Sequence, residues 1–291
     1  MNLYAMKDIL TAADSEGKQI WEIVLESDME HRDVSAETSM KKMGETWRAM
    51  LAASESYTGQ RRSQSGLAGG QGAQMREYAA NGDTIGGDFT AQVIAEALAM
   101  GESNACMRRI VAAPTAGACG VMPAVLIPLC RRDGLSEEKM LQALYLASGI
   151  GAVIAFRASI SGAAGGCQAE VGSASAMAAG ALTFLRGGSN EQVCHAVAMA
   201  LKNVLGLACD PVAGLVEVPC IKRNVMGAMN AIAAADMALA GITSRIPVDE
   251  VIDAMGEVGR RMPVELRETA LGGLAATPTG RAVKKSMPGR K

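Results

Sequence analysis

The chain has 291 residues, 49% of them apolar but only 3% aromatic, with 33 Gly and 19 Met. That length suits one large domain whose core is filled by Ala, Val, Leu, Ile and Met rather than by rings, and so many small residues predict closely packed helices. A formal charge of -2 excludes a general attraction to nucleic acid or anionic membranes, and seven cysteines, an odd number, exclude a fully paired intrachain disulfide framework. The opening MNLYAMKDIL has neither a basic n-region nor a long apolar run, so the expected compartment is the reducing cytoplasm.

In chain order, Ile20, Ile23 and Val24 recur at helical spacing within residues 15–29, and Met40, Met43, Trp47, Met50 and Leu51 do so from Ser35 onward. Two N-terminal helices follow. Glu26, Asp28, Glu30 and His31 give them a wet face, and the Met and Trp stripe reads as core. Residues 59–72, GQRRSQSGLAGGQG, hold five glycines and form a long loop. No strand precedes it and no Gly-Lys-Ser/Thr closes it, so it matches neither the dinucleotide fingerprint nor the P-loop. It is either a surface linker or a backbone cradle for a small anion such as a carboxylate.

Residues 90–100 read as a helix with Val93, Ile94, Ala97 and Leu98 on one face. Residues 110–113 are a strand or a buried turn of helix, and periodicity does not decide between them. The turn from Thr115 to Gly120 either lets two helices pack or turns its backbone N–H groups and the Thr115 hydroxyl toward a ligand. Ser136 with two following acids caps a helix whose apolar face carries Met140, Leu141, Leu144 and Tyr145. Its most apolar run, residues 143–156, falls about a third short of the roughly 20 residues that span a bilayer, which predicts a buried core helix. Residues 173–185, 191–205 and 225–240 read as helices, and Pro247 opens another bearing Val248, Val251, Ile252 and Met255. From Thr277 the chain is basic and reads as a solvated loop. The expected fold is all-α, with Gly-rich loops and at most minor short strands.

No Cys-x-x-Cys occurs, which argues against zinc ribbons and bacterial-type ferredoxin sites. Cys106, Cys119, Cys130 and Cys194 sit in or beside apolar segments and read as packed thiols, Cys119 least firmly because it lies in the Thr115–Gly120 turn. Cys167, Cys209 and Cys220 each lie at an element boundary, and three such thiolates suffice to hold an iron-sulfur cluster by three corners. Their spacing alone leaves ligation and packing both open.

The segments APTAGACGVMPAVL, SGAAGGCQAEVGSASAMAAGAL, CDPVAGLVEVPCIKRN and GGLAATPTGR resemble those of the alpha chain, or catalytic domain, of the bacterial iron-sulfur L-serine dehydratases. The resemblance runs from about Ser65 to Arg281. It implies a largely helical catalytic domain in which Cys167, Cys209 and Cys220 hold a 4Fe-4S cluster and no pyridoxal phosphate is used. The layout expected from it is a helical arm over residues 1–58, an iron-sulfur catalytic core over 59–280 and a basic tail over 281–291. By family position, Ser65, Gly66, Gly69 and Gly70 in the loop and Thr115, Ala116 and Gly117 in the turn are candidates for gripping the carboxylate and amine of L-serine. Lys222 and Arg223 are candidates for offsetting cluster charge or binding carboxylate, and Gln168 and Glu170 for supporting the cluster from behind.

Loss of water from serine requires removal of the α proton and departure of hydroxide, and an iron without a protein thiolate is a Lewis acid for the hydroxyl. The aminoacrylate then rearranges and hydrolyses to pyruvate and ammonia. The base is not identified here: His31 lies in the wet arm and His195 lies off the main apolar face of its helix. Single-chain relatives carry a further domain with a Ser-Ser-His type motif that this sequence lacks, so a separate beta chain is expected to supply the base. No cysteine follows Cys220, so the chain's own tail has no thiolate for the fourth iron. The competing readings are a cysteine desulfidase of the same cluster chemistry, a non-catalytic helical scaffold, and a zinc module.

Overall fold

The computed structural model describes residues 4–82 and 84–287, and these form thirteen α-helices and no sheet. In order they are α1 (Met6–Glu16), α2 (Ile20–Arg32), α3 (Ala36–Glu55), α4 (Gln71–Ala80), α5 (Gly87–Ala105), α6 (Val121–Asp133) and α7 (Glu137–Arg157). The one-turn α8 (Gly162–Gly165) follows, then α9 (Ser173–Leu185), α10 (Asn190–Lys202), α11 (Cys220–Leu239), α12 (Val248–Arg261) and α13 (Pro278–Ser286). The all-α expectation holds, and the one β-type pairing among the described residues is an isolated bridge between Cys209 and Arg267.

Uncharged residues, most of them small, fill α9, SASAMAAGALTFL, and every one of them is buried. Helices α6, α7, α10 and α11 pack around it. Small side chains are what permit this: a Cβ on Gly180 would lie 2.4 Å from Ile150 Cδ1 of α7. The polar side chains of α9 are internally satisfied where they bond. Ser175 donates to the Gly227 carbonyl of α11 at 2.8 Å, and Thr183 donates to its own helix at Ala179.

Around this centre the N-terminal arm packs through periodic stripes. Ile20, Ile23 and Val24 of α2 are buried against α7, and Trp47 and Met50 of α3 are buried as well. Ser39 and Tyr145 hydroxyls bond each other at 2.6 Å, a polar tie between α3 and α7. The arm holds one helix more than its sequence pattern suggests. Its first helix, α1, buries Met6, Ile9 and Ala13, and its N-terminus is capped from a distance: the Met6 and Lys7 N–H groups each donate to the Asp249 carboxylate of α12 at 2.9 Å.

Helix α7 extends the run of residues 143–156 to 21 residues, so by length and hydropathy it is able to cross a membrane; two-thirds of its most apolar window is buried inside the protein. Residues 110–113 are neither strand nor helix but an irregular lead into the turn at Thr115. The expectation of a loop after Thr277 is overturned by α13. Thr277 accepts from the Gly280 N–H at 3.1 Å, Pro278 opens the first turn, and Lys284 and Lys285 occupy the last, where the helix dipole favours cations. Residues 288–291 of the expected tail lie outside the described residues.

Candidate metal centre

Cys167, Cys209 and Cys220 come from three separate backbone settings. Cys167 follows Gly166, whose φ of 75° and close approach to the Leu207 carbonyl and Met262 admit only glycine. After it, a π turn (Gln168–Gly172) leads into α9. Gln168 fixes this turn: its N–H donates to the Leu207 carbonyl, its side-chain amide donates to the Met255 carbonyl at 3.1 Å, and its Oε1 accepts from the Gly206 N–H at 2.8 Å. Cys209 lies on an extended segment after α10, donating its N–H to Leu266 at 2.8 Å and accepting from the Glu268 N–H at 2.7 Å. Cys220 is the first residue of α11.

The three thiols are 3%, 3% and 8% exposed, and they act on one another. Burial is the main cause that pushes Cys167 up to about 11 and Cys220 up to about 12, with Cys167 raising Cys220 further. Cys209 is driven up by burial, then by Cys167, Glu170, Cys220 and Glu268. The opposing charge is Arg223, one turn into α11, whose guanidinium lowers the Cys167 thiol. Its guanidinium also donates to the Ala208 carbonyl at 2.7 Å and to Asp210 Oδ1 at 2.8 Å. Asp210 Oδ2 in turn accepts from the Leu274 N–H at 2.8 Å.

Beside the sulfurs, Glu170 Oε2 lies 3.9 Å from Cys209 Sγ, and the Thr115 hydroxyl donates to Glu170 Oε1 at 2.8 Å. Burial, with Glu268 adding to it, pushes the Glu170 carboxyl above the usual range. Donor atoms of Glu170, Cys209 and Glu268 all lie within 4.8 Å of one another, a grouping able to hold a metal ion. Gly162 leaves the space beside them open, since its Cβ would stand 2.6 Å from Glu170 Oε2 and 3.2 Å from Cys209 Sγ.

The turn from Thr115 to Gly120 is bound to the same site. Gly117 faces Glu170, and Asn224 of α11 stitches the turn to Cys220, accepting from the Gly120 N–H and donating to the Gly117 and Cys220 carbonyls at 2.8 and 2.9 Å. Ala116 is exposed, its carbonyl accepting from Asn104.

The Gly-rich loop reaches the cysteines indirectly. Ser65 and its neighbour Ser63 both donate to the buried Glu217, on the segment between Cys209 and Cys220. Gly66, Gly69 and Gly70 all take positive φ, and the Arg62 guanidinium closes over Gly70. Lys222 and Arg223 divide. Arg223 faces the sulfurs, whereas Lys222 is exposed and donates to Gln71 Oε1 at 2.7 Å, at the far end of the loop.

His195 accepts from the Ser244 N–H and stands 3.7 Å from Glu191, while His31 lines a cavity in the arm with Asp28 and Arg32. Cys119 and Cys194 are buried, and Cys106 and Cys130 are half-buried. In the sequence Asp210, Glu217 and Asn224 appear only within the CDPVAGLVEVPCIKRN motif, and Glu268 lies outside every motif. The signal available for three of them was a carboxylate or amide within four residues of a candidate ligand.

The profile of the family described as serine dehydratase alpha chain matches residues 15–275. The chain is 48% identical over 284 residues to the probable L-serine dehydratase, alpha chain, of Bacillus subtilis, covering 98% of this chain and 95% of that one. It is 43% identical over 286 residues to the L-serine dehydratase, alpha chain, of Peptoniphilus asaccharolyticus, covering 98% of each. Against the longer L-serine dehydratase of Streptomyces coelicolor it is 40% identical over 282 residues, 92% of this chain and 59% of that one.

Proposed function

The chain belongs to the serine dehydratase alpha-chain family of lyases, and on that premise we propose that it is the alpha subunit of a cytoplasmic L-serine ammonia-lyase. In this reading Cys167, Cys209 and Cys220 hold a 4Fe-4S cluster, and a separate beta chain completes the site with the catalytic base. The observation that carries it is the gathering of three buried thiols from three element boundaries, with Cys167 acting on both Cys209 and Cys220 and the Arg223 guanidinium beside Cys167 and Cys220. Thiols raised by burial and by each other become thiolates only against positive charge, and Arg223 supplies a cation beside Cys167 and Cys220. That donor set fits an iron-sulfur cluster with three protein ligands.

When bound, such a cluster supplies an iron that acts as Lewis acid toward the serine hydroxyl. The remaining work falls to side chains. Arg223 offsets the negative charge of the sulfurs, and Gln168 holds the backbone around Cys167 in place. Thr115 orients Glu170 beside Cys209, where its carboxyl oxygens can accept from the substrate's ammonium, with Ala116 and Gly117 in the same turn. Ser65, Gly66, Gly69 and Gly70 shape the loop for the carboxylate, and Lys222 ties that loop to α11. The α proton leaves to a base on the beta chain, water departs, and the aminoacrylate hydrolyses to pyruvate and ammonia.

The test is anaerobic copurification with the beta chain, followed by iron and sulfide analysis and by pyruvate assays with L-serine and L-cysteine before and after air. The expected result is a brown protein with about four irons, active on L-serine and inactivated by air. Faster pyruvate release from L-cysteine would reassign the site as a desulfidase. A colourless, iron-free protein after anaerobic reconstitution would reduce the cysteines to packing and the chain to a scaffold.

A further inference from the structure

Glu217 has no place in the chemistry above, yet it is a carboxylate only 6% exposed, and among the described residues no cation pairs with it. One of its oxygens, Oε2, accepts from Ser63 Oγ at 2.9 Å and from Ser65 Oγ at 2.5 Å. Both hydroxyls then use a lone pair within the Gly-rich loop, Ser65 Oγ accepting from the Leu67 N–H at 3.0 Å and Ser63 Oγ from the Ala68 N–H at 3.2 Å. A carboxylate has no proton to give, so it forces both hydroxyls to donate outward and leaves their lone pairs for the loop amides. That chain of direction, amide to hydroxyl to carboxylate, selects one loop conformation.

Glu217 is also mechanically part of the cysteine segment. Its carbonyl accepts from the Ile221 N–H at 3.0 Å, joining it to the first turn of α11 and so to Cys220. The loop's other end is held separately, by Glu102 accepting from the Gln71 and Gly72 N–H groups and by Lys222 donating to Gln71. Between these two anchors lie Gly66, Gly69 and Gly70, the stretch with positive φ. We infer that Glu217 is a positioning residue that registers the Gly-rich loop on the Cys209–Cys220 segment and thereby sets the loop's grip on the substrate carboxylate. The inference rests on the serine-lyase reading above and names a residue that acts on substrate binding through Ser63 and Ser65.

The experiment compares the enzyme with its beta chain, prepared anaerobically, as wild type, Glu217→Ala, Glu217→Gln and the double variant Ser63→Ala/Ser65→Ala. Steady-state kinetics on L-serine, iron and sulfide content, and hydrogen exchange over residues 63–70 are measured on each. Glu217→Ala is expected to raise KM about tenfold while kcat stays within about threefold, the pattern of lost ground-state grip. Iron content stays at the wild-type level and exchange in the loop quickens. Glu217→Gln, which keeps an acceptor oxygen but adds a competing N–H, recovers part of the KM, and the double serine variant reproduces Glu217→Ala. An unchanged KM in Glu217→Ala overturns the inference, as does a fall in kcat and iron that tracks the rise in KM, since Glu217 would then merely support Cys220. Should Glu217→Ala fail to fold, Ser63→Ala, which removes a Glu217 partner without touching the residues assigned to the substrate, decides by the same criteria. A wild-type enzyme that makes no pyruvate from L-serine overturns the serine-lyase reading itself, whereas an active wild type with an unmoved variant KM overturns the inference alone.

Discussion

Arg223 has to satisfy several demands at once: it donates to the Ala208 carbonyl and Asp210 and faces Cys167, from a half-buried position where burial opposes its charge but Cys167 and Asp210 more than restore it. Its planar fork meets these partners together, which a lysine ammonium cannot do at one point. Arg223→Lys is therefore expected to bind less iron than wild type, and Arg223→Met less again, measured by iron and sulfide per chain after anaerobic reconstitution. The cysteines give a sharper contrast. Cys167→Ala, Cys209→Ala and Cys220→Ala are each expected to abolish cluster binding, whereas Cys130→Ala and Cys194→Ala retain it, because Cys130 Sγ merely reaches the Leu135 carbonyl and Cys194 is packed in the core. Equal retention in all five variants would end the assignment. At this scale the sequence exposed the ligand candidates through family motifs, but it gave no sign that Lys222 and Arg223 part company. Adjacent residues on a helix point about 100° apart, and which of the two meets the sulfurs depends on how α11 is rotated against the turn at Thr115.

Helices with a strong apolar stripe were legible because burial selects one face: Val248, Val251, Ile252 and Met255 of α12 all lie inside, at the helical spacing that marks them. Helices without such a stripe were not. The short α4 buries only Gly72, and α13 only Gly280, so neither shows an apolar face. Their starts are bonded differently: Glu102 of the following α5 accepts from the first N–H groups of α4, whereas α13 is capped locally by Thr277. Thr277→Ala is expected to cost about 1 kcal/mol, felt as faster hydrogen exchange over α13 rather than as global unfolding. For α1 the cap comes from 242 residues away in sequence, through Asp249. Asp249→Ala should release the first turn of α1 and raise its exchange while leaving α2 protected. At the centre, Gly180→Val introduces branched bulk 2.4 Å from Ile150 Cδ1. Overpacking of about 1–3 kcal/mol is expected to outweigh the roughly 0.3–0.5 kcal/mol that valine in place of a helical glycine returns, and a lowered thermal midpoint measures the difference.

At the scale of the whole molecule, the site is a meeting of distant segments: the loop before α4, the turn before α6, the π turn before α9, the strap from Cys209 to Cys220 and the stretch at Glu268. Helix α9 and its shell hold these ends in register, and the two histidines of the chain are engaged elsewhere. In the proposed reading the chain alone, reconstituted with iron and sulfide, is expected to bind a cluster yet form no pyruvate until the beta chain is added; full activity from the isolated chain would remove the need for a partner base. The sequence by itself determined the helical class and the main apolar faces, because these follow from local spacing and residue type, while the three cysteines stand out as candidates only through the family motifs. What only the tertiary structure decided is which polar groups meet. Glu217 to Ser63 and Ser65, Glu170 to Thr115, Asn224 to Gly120 and Asp249 to Met6 are pairings across tens to hundreds of residues. A hydrogen bond is satisfied by any partner within about 3 Å. Nothing in the linear order fixes which partner arrives there until the helices have packed.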